Sequence, residues 1–363
     1  MLVFRELKEN LLESSCLALG VFDGVHLGHQ KVILNAVKKA QELGNTSAVV
    51  TFSKHPRFVI SKSNPDIITS IEERLELFEN LGVQAAVVLD FDEKLASMTA
   101  KEYLKNILIG CLNAKSITIG YNHKFGQQSC KLRQPDSCTK YFDKNEGKQS
   151  CKLRQPDSCT KYFDKNEGKQ SCKLRQPDSC TKYFDKNEDN KPGNGKFLEN
   201  YSKKHGYEVS IISPVKIDSH VVSSSVIRKF ILKGDVETAA KFLGRSFKIK
   251  GTVIHGQHLG RTLGFPTANL LLPDDLIIPL NGVYSGLVKI DAKVYHAVIN
   301  IGKRPTIGDL KKDLVEAHIL DFDEDIYGKI IEISFLERIR NEIKFNSLEE
   351  LKIQIKKDCD FIK

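Results

Sequence analysis

No apolar stretch in this 363-residue chain approaches the roughly 20 residues that a membrane-spanning helix needs, so no membrane partner is expected. Residues Met1 to Glu9 also lack a basic segment followed by an apolar run. That argues against a secretory signal and for a cytoplasmic location. In that compartment the nine cysteines read as thiols rather than as a disulfide framework. Six of them recur in pairs separated by seven residues, as in Cys130 and Cys138. Paired zinc ligands usually sit closer, about two to four residues apart. The net charge of +9 lies largely in one repeated segment, so a nucleic-acid partner is not expected either. The length allows two domains with separate cores, and 40% apolar with 28% charged residues is ordinary for a globular protein.

What the chain does contain is two phosphate-handling signatures. Leu17 to Leu19 reads as a short strand, Gly20 to Gly24 as a tight turn, and a helix with apolar residues at helical spacing runs on to Leu43. His26 and His29 stand at the entry of that helix. Free amides and the helix dipole attract anions there, and imidazole donors can stabilise charge that builds up during phosphoryl or nucleotidyl transfer. The second signature runs from Gly251 through Gly256, Gly260 and Gly264 into Phe265, Pro266, Thr267, Ala268 and Asn269. Glycines let a backbone approach phosphate oxygens closely. Thr267 and Asn269 add hard neutral oxygens that suit a magnesium ion leaning on nucleotide phosphates.

Around these signatures the chain changes character. Strands at 47–52, 85–89 and 116–119 alternate with helices opened by Ser70 with Glu73 and Thr99 with Glu102, running to about Leu81 and Ile109. This order predicts a parallel sheet with ligands at the strand C-terminal ends. A helix over Gly195–His205, a strand over Val209–Ile212 and a short helix within Gly234–Arg245 follow. From Phe247 the pattern is strands separated by Gly, Pro and Asp, including 282–286, 294–300, 315–320 and 329–336, as in a small antiparallel barrel. Ser347 caps a final helix to about Cys359.

The two signatures resemble those of the bacterial bifunctional riboflavin kinase/FAD synthetase family. The resemblance continues through Asn300 to Thr306, Val315 to His318, Asp321 to Gly328 and Arg338 to Phe345. It implies an α/β N-terminal nucleotidyltransferase domain with a Rossmann-like parallel sheet, and a C-terminal all-β riboflavin kinase barrel with a terminal helix. The corresponding boundaries are 1–213, a connecting segment 214–245, and 246–363. The implied activity is ATP-dependent phosphorylation of riboflavin to FMN, then adenylyl transfer from ATP to FMN, giving FAD and pyrophosphate. Magnesium is the implied cofactor, and riboflavin, FMN and ATP are the implied partners. Carried over residue by residue, Glu316 is the kinase base, and Thr267 and Asn269 serve magnesium and phosphates. His26 and His29 act on the phosphates of the adenylyl donor. Gly20, Phe22, Asp23, Gly24, Asn122, Ser224, Arg228, Gly256 and Gly260 join Thr267 and Asn269 in nucleotide binding. Phe52, His55, Pro56, Arg304 and Arg340 are expected to contact flavin.

Two features depart from that pattern. Asn122 and His123 stand where the family usually has Asp and Phe. Directly after this loop, the 21 residues Gln128–Lys148 recur at Gln149–Lys169, and a third copy holds from Gln170 to Glu188. Each copy carries too few apolar residues to offset ordering entropy, so the insertion, about 127–188, is expected to be a disordered loop. Two alternatives therefore stay open: a riboflavin kinase with an impaired adenylyltransferase half, and a flavin-binding scaffold that docks through the repeats.

Overall fold

The computed structural model describes residues 1–60, 66–126, 193–256, 260, 263–303 and 313–362. The three repeat copies lie outside the described residues, as does Arg304.

The N-terminal half is a parallel sheet between helices. Its strands are β1 (Leu2–Phe4), β2 (Ser15–Leu19), β3 (Thr46–Phe52), β4 (Ala85–Leu89), β5 (Ala114–Gly120) and β6 (Glu208–Ile212). They lie in the order β1-β4-β3-β2-β5-β6, every pair parallel. Alternation along the strands builds two core layers. Leu17, Leu19, Val50 and Val87 face one layer, with Ile107, Leu108, Phe197 and Leu198. Ala18, Val49 and Ala86 face the other, with Val32, Ile33 and Phe78. The chain leaves β4 and crosses β3 and β2 to form β5, so the strand order reverses between β2 and β5. That reversal opens a crevice at their C-terminal ends, where ligands of such sheets bind.

The helices follow the expected capping chemistry with two differences. Helix α1 (Leu27–Leu43) is capped by His26, and α2 (Arg57–Ile60) is one short turn. Helix α3 (Ile71–Asn80) has Ser70 accepting from the Glu73 amide, but the Glu73 carboxylate turns to Arg245 instead of back to Ser70. The expected box is thus half formed there. After α4 (Glu93–Ser97), Thr99 and Glu102 make the complete reciprocal pair at the start of α5 (Ala100–Glu102). That helix does not stay α-helical to Ile109. After Ala100–Glu102 it widens into a π-helix over Tyr103–Cys111, with Leu112 N–H reaching back to Ile107.

Beyond α6 (Gly195–His205) and β6, a short hairpin of β7 (Lys216–Ile217) and β8 (His220–Val221) leads into α7 (Ser224–Leu232) and α8 (Val236–Leu243). The barrel is β9 (Lys248–Ile254), β10 (Ala268–Leu271), β11 (Gly282–Ile290), β12 (Lys293–Lys303), β13 (Asp313–Ile319) and β14 (Ile330–Arg340). It closes in the order β10-β13-β12-β11-β14-β9, all antiparallel, with β9 paired back to β10. Ile227, Ile231, Val236, Phe242 and Leu243 of α7 and α8 share one continuous core with Tyr284, Ile299, Ile333 and Phe335 of the barrel. The C-terminal helix, α9 (Leu348–Phe361), packs over the barrel against β12, with Cys359 in a small core with Val283 and Val298.

Candidate active sites

The crevice between β2 and β5 holds a cavity of about 300 Å³. Gly20, Phe22, Asp23, His26, His29, His55, Asn122, Ser224 and Arg228 all line it. Residues more than 200 positions apart are thus brought together. Phe52, Pro56 and Gly24 are not among the lining residues; Phe52 packs edge-on against Phe91, at 5.3 Å between centroids.

The turn that feeds α1 is strained. Phe22 and Val25 hold φ of 54° and 37°, in the left-handed region that non-glycine residues avoid. Gly24, at φ 84°, makes the turn without that penalty. External bonds hold it in place. The Gly24 N–H donates to Thr69 Oγ1 at 2.8 Å, and Ser224 Oγ donates to the Asp23 carbonyl at 2.8 Å. Asp23 is buried, and its carboxylate accepts from the Ile68 and Thr69 amides and pairs with Arg228. Asp23, read from sequence as a nucleotide contact, is therefore the peg on which the turn and α7 are hung. Arg228 is shared between Asp23, the Asp66 carbonyl and the cavity.

His26 Nδ1 accepts from the His29 N–H at 3.2 Å, so in the neutral ring its proton sits on Nε2. The two imidazoles stack at 3.5 Å between centroids. Burial, helped by the nearby Arg245 charge, pulls the His26 pKa down to about 4. Burial, then the His26 and Arg74 charges, holds His29 well below its ordinary value. Both rings are therefore neutral N–H donors near pH 7. His29 Nδ1 is buried with no protein partner, an orphaned polar atom in a site built for a polar ligand. His123 also lines the cavity, and burial lowers it to about 4. With Arg57, it was not singled out as a contact in the sequence.

The barrel carries a larger cavity of about 710 Å³. Gly256, Gly260, Thr267, Asn269, Glu316 and Arg340 line it together. Strand register explains the convergence. Asn269 of β10 and Asn300 of β12 are both direct partners of Glu316 on β13, so the three form a row across neighbouring strands. Asn300, His318 and Glu342 are further lining residues, and strand register is what sets Asn300 beside Glu316. Asn269 is buried, and a Cβ on Gly256 would come within 2.7 Å of its Cγ, so any larger residue there must displace Asn269. His318 Nδ1 donates to the Pro266 carbonyl at 2.8 Å and steadies the segment that carries Thr267. A second cavity of about 300 Å³ shares Gly256, Thr267 and Asn269 and is otherwise lined by Asp323, Glu324, Asp325 and Tyr327 among others. Thr267 and Asn269 thus stand on the wall between two compartments.

Arg340, expected at the flavin, donates to both Asp358 oxygens at 2.7–3.1 Å and to the Asn341 carbonyl at 3.0 Å. These bonds tie β14 to the C-terminal helix at the cavity rim.

Comparison with known proteins agrees with this two-site layout. Residues 8–143 match the family model for FAD synthetase, and residues 243–363 that for riboflavin kinase. The bifunctional riboflavin kinase/FMN adenylyltransferase of Bacillus subtilis (strain 168) is 35% identical over 350 residues, covering 95% of this chain and 90% of the relative. That of Haemophilus influenzae is 31% identical over 355 residues, covering 97% and 94%. A crystal structure described as a macrolide-efflux protein from Streptococcus pneumoniae is 28% identical, with a TM-score of 0.76, covering 100% of this chain and 99% of that one. Among the described residues no helix is long and apolar enough to cross a membrane. With both halves matched and aligned end to end with such relatives, the chain belongs to the bifunctional riboflavin kinase/FMN adenylyltransferase family.

Proposed function

We propose that the barrel phosphorylates riboflavin to FMN with ATP, and that the α/β half then transfers AMP from a second ATP to FMN. The observation that carries the reading is the row of Asn269, Glu316 and Asn300 in one cavity, with Thr267 and Asn269 shared by the next. A flavin in the larger compartment and a nucleotide in the acidic one would meet at that wall. The ribityl 5′-hydroxyl attacks the γ-phosphorus, Glu316 takes its proton, and ADP leaves. The Thr267 hydroxyl, beside Gly260, and the Asn269 side-chain carbonyl, beside Gly256, are hard neutral oxygens that fit a magnesium ion. When bound, such an ion supplies neutralisation of phosphate charge.

In the α/β half an FMN phosphate oxygen attacks the α-phosphorus and pyrophosphate leaves. No covalent intermediate is needed, so positioning and charge stabilisation dominate. His26 and His29 donate as neutral imidazoles, and Arg228 and Ser224 bound the site from α7. Residues 1–213, 214–245 and 246–363 remain our working boundaries, and a cytoplasmic location fits the substrates. Matches in both halves disfavour a scaffold or a kinase alone. Incubating the chain with riboflavin, ATP and magnesium and resolving the flavins tests the reading. FMN followed by FAD is expected; FMN alone would remove the adenylyltransferase, and unchanged riboflavin would remove both activities.

A further inference from the structure

One contact reaches the adenylylation turn from the segment that leads into the barrel. Arg245 lies between α8 and β9. One guanidinium nitrogen donates to the Gly24 carbonyl at 2.9 Å, and the other lies 3.5 Å from Glu73 Oε1. The side chain is largely buried, and it does not line the adenylylation cavity. Gln30, in the first turns of α1, strengthens the same junction. Its amide donates to the Val25 carbonyl and to the Leu243 carbonyl at the end of α8, each at 2.9 Å. The turn with left-handed Phe22 and Val25 persists only where its surroundings over-determine it. Thr69 holds the Gly24 N–H and Arg245 holds the Gly24 carbonyl, so the peptide links on both sides of Gly24 are fixed from outside the turn. His26 follows two residues later, and the positive charge of Arg245 reinforces the neutral state of its ring. The connector that supplies Arg245 shares its core with the kinase barrel.

We propose that Arg245 is a positioning residue for adenylyl transfer: from the barrel side, it fixes the Gly24 carbonyl and thereby the turn that presents His26. The proposal rests on the adenylyltransferase reading above and extends it, because it makes the docked kinase half a structural requirement of FAD formation. Misplacing a catalytic group by about 1 Å can cost on the order of 100-fold in rate.

The test uses the full chain carrying Arg245→Ala or Arg245→Lys, with both activities measured separately. Arg245→Ala should lower kcat for FMN adenylylation by about 10- to 100-fold, with little change in KM for ATP and a wild-type kinase rate. Arg245→Lys keeps a donor within reach of the carbonyl and should recover part of the loss. An unchanged adenylylation kcat overturns the proposal. So does a loss confined to KM, or an equal loss of both activities in the two variants. If Arg245→Ala does not fold, Arg245→Lys decides alone: selective loss of adenylylation kcat supports the proposal, and a wild-type value overturns it. A wild-type chain that forms no FAD would instead sink the functional reading on which the proposal rests.

Discussion

The kinase cavity makes a sharp demand on Gly256. A methyl group there would approach Asn269 Cγ to 2.7 Å, well inside the 3.4 Å at which ordinary contact begins. The Asn269 amide nitrogen would lie nearer still, so the side chain must retreat by about an ångström toward the cavities it lines. The backbone is not the obstacle, because Gly256 is absent from the positive-φ glycines. Gly256→Ala should therefore act on geometry at Asn269 more than on the fold. A shift of that size in a group that places a reacting phosphate costs about 100-fold in rate. The assay follows FMN formation from riboflavin, ATP and magnesium, with FMN-to-FAD conversion as the internal control. Expected are a kinase kcat about 100-fold down, unchanged adenylylation and a similar melting temperature. Because both changes disturb one group, Gly256→Ala and Asn269→Ala should be far from additive. A Gly256→Ala enzyme with the wild-type kinase rate would refute the role given to Asn269.

Glu316→Ala should lower FMN formation by about 100- to 10,000-fold while sparing FAD formation from supplied FMN; a full kinase rate would remove Glu316 from the mechanism. His29→Ala should slow FAD formation by about 100-fold, the cost of one transition-state donor, and leave the kinase intact. Loss of the kinase instead would show the two halves to be assigned backwards. His26 carries a pH signature. Its folded pKa of about 4 lies below the ordinary 6.5, so its contribution to stability is complete above about 6.5 and is lost as pH falls through 4. The full shift corresponds to about 3 kcal/mol. Melting curves from pH 7 to pH 4 should therefore fall more steeply for the wild type than for His26→Gln, and parallel curves would contradict the burial argument.

The alternation of strand and helix, the barrel and most element starts were legible in sequence because each rests on local pattern: Ser70, Thr99 and Ser347 all accept at their N-caps, though only Thr99 completes the box read for it and for Ser70. His26, His29, Thr267, Asn269 and Glu316 were legible because their motifs are compact. What sequence hid depends on distance. Asp23 lines the cavity as its motif suggests, but its carboxylate's bonds to the Ile68 and Thr69 amides and to Arg228, 205 residues away, are invisible in sequence. Arg340 lines the barrel cavity, and its pairing with Asp358 shows only once the C-terminal helix is in place. Asn300 stands in a segment that carries the family resemblance, but its place beside Glu316 comes from barrel register. The π-helix was hidden because its apolar spacing scarcely differs from that of an α-helix over two turns.

The core that α7 and α8 share with the barrel also takes in Ile68, with Leu27 packed against it from the start of α1. During synthesis the α/β half leaves the ribosome first, and N-terminal regions generally begin folding as they emerge. Its sheet can pair then, because β6 closes it by Ile212. Ile68 and Leu27 wait for a core whose other members extend into the barrel, as far as Phe335. The nascent chain therefore carries an unfinished apolar seam beside its nucleotide turn until the barrel strands are made. That seam is where a chaperone would hold it, and a chain truncated within the barrel should be cleared rather than survive as a lone adenylyltransferase.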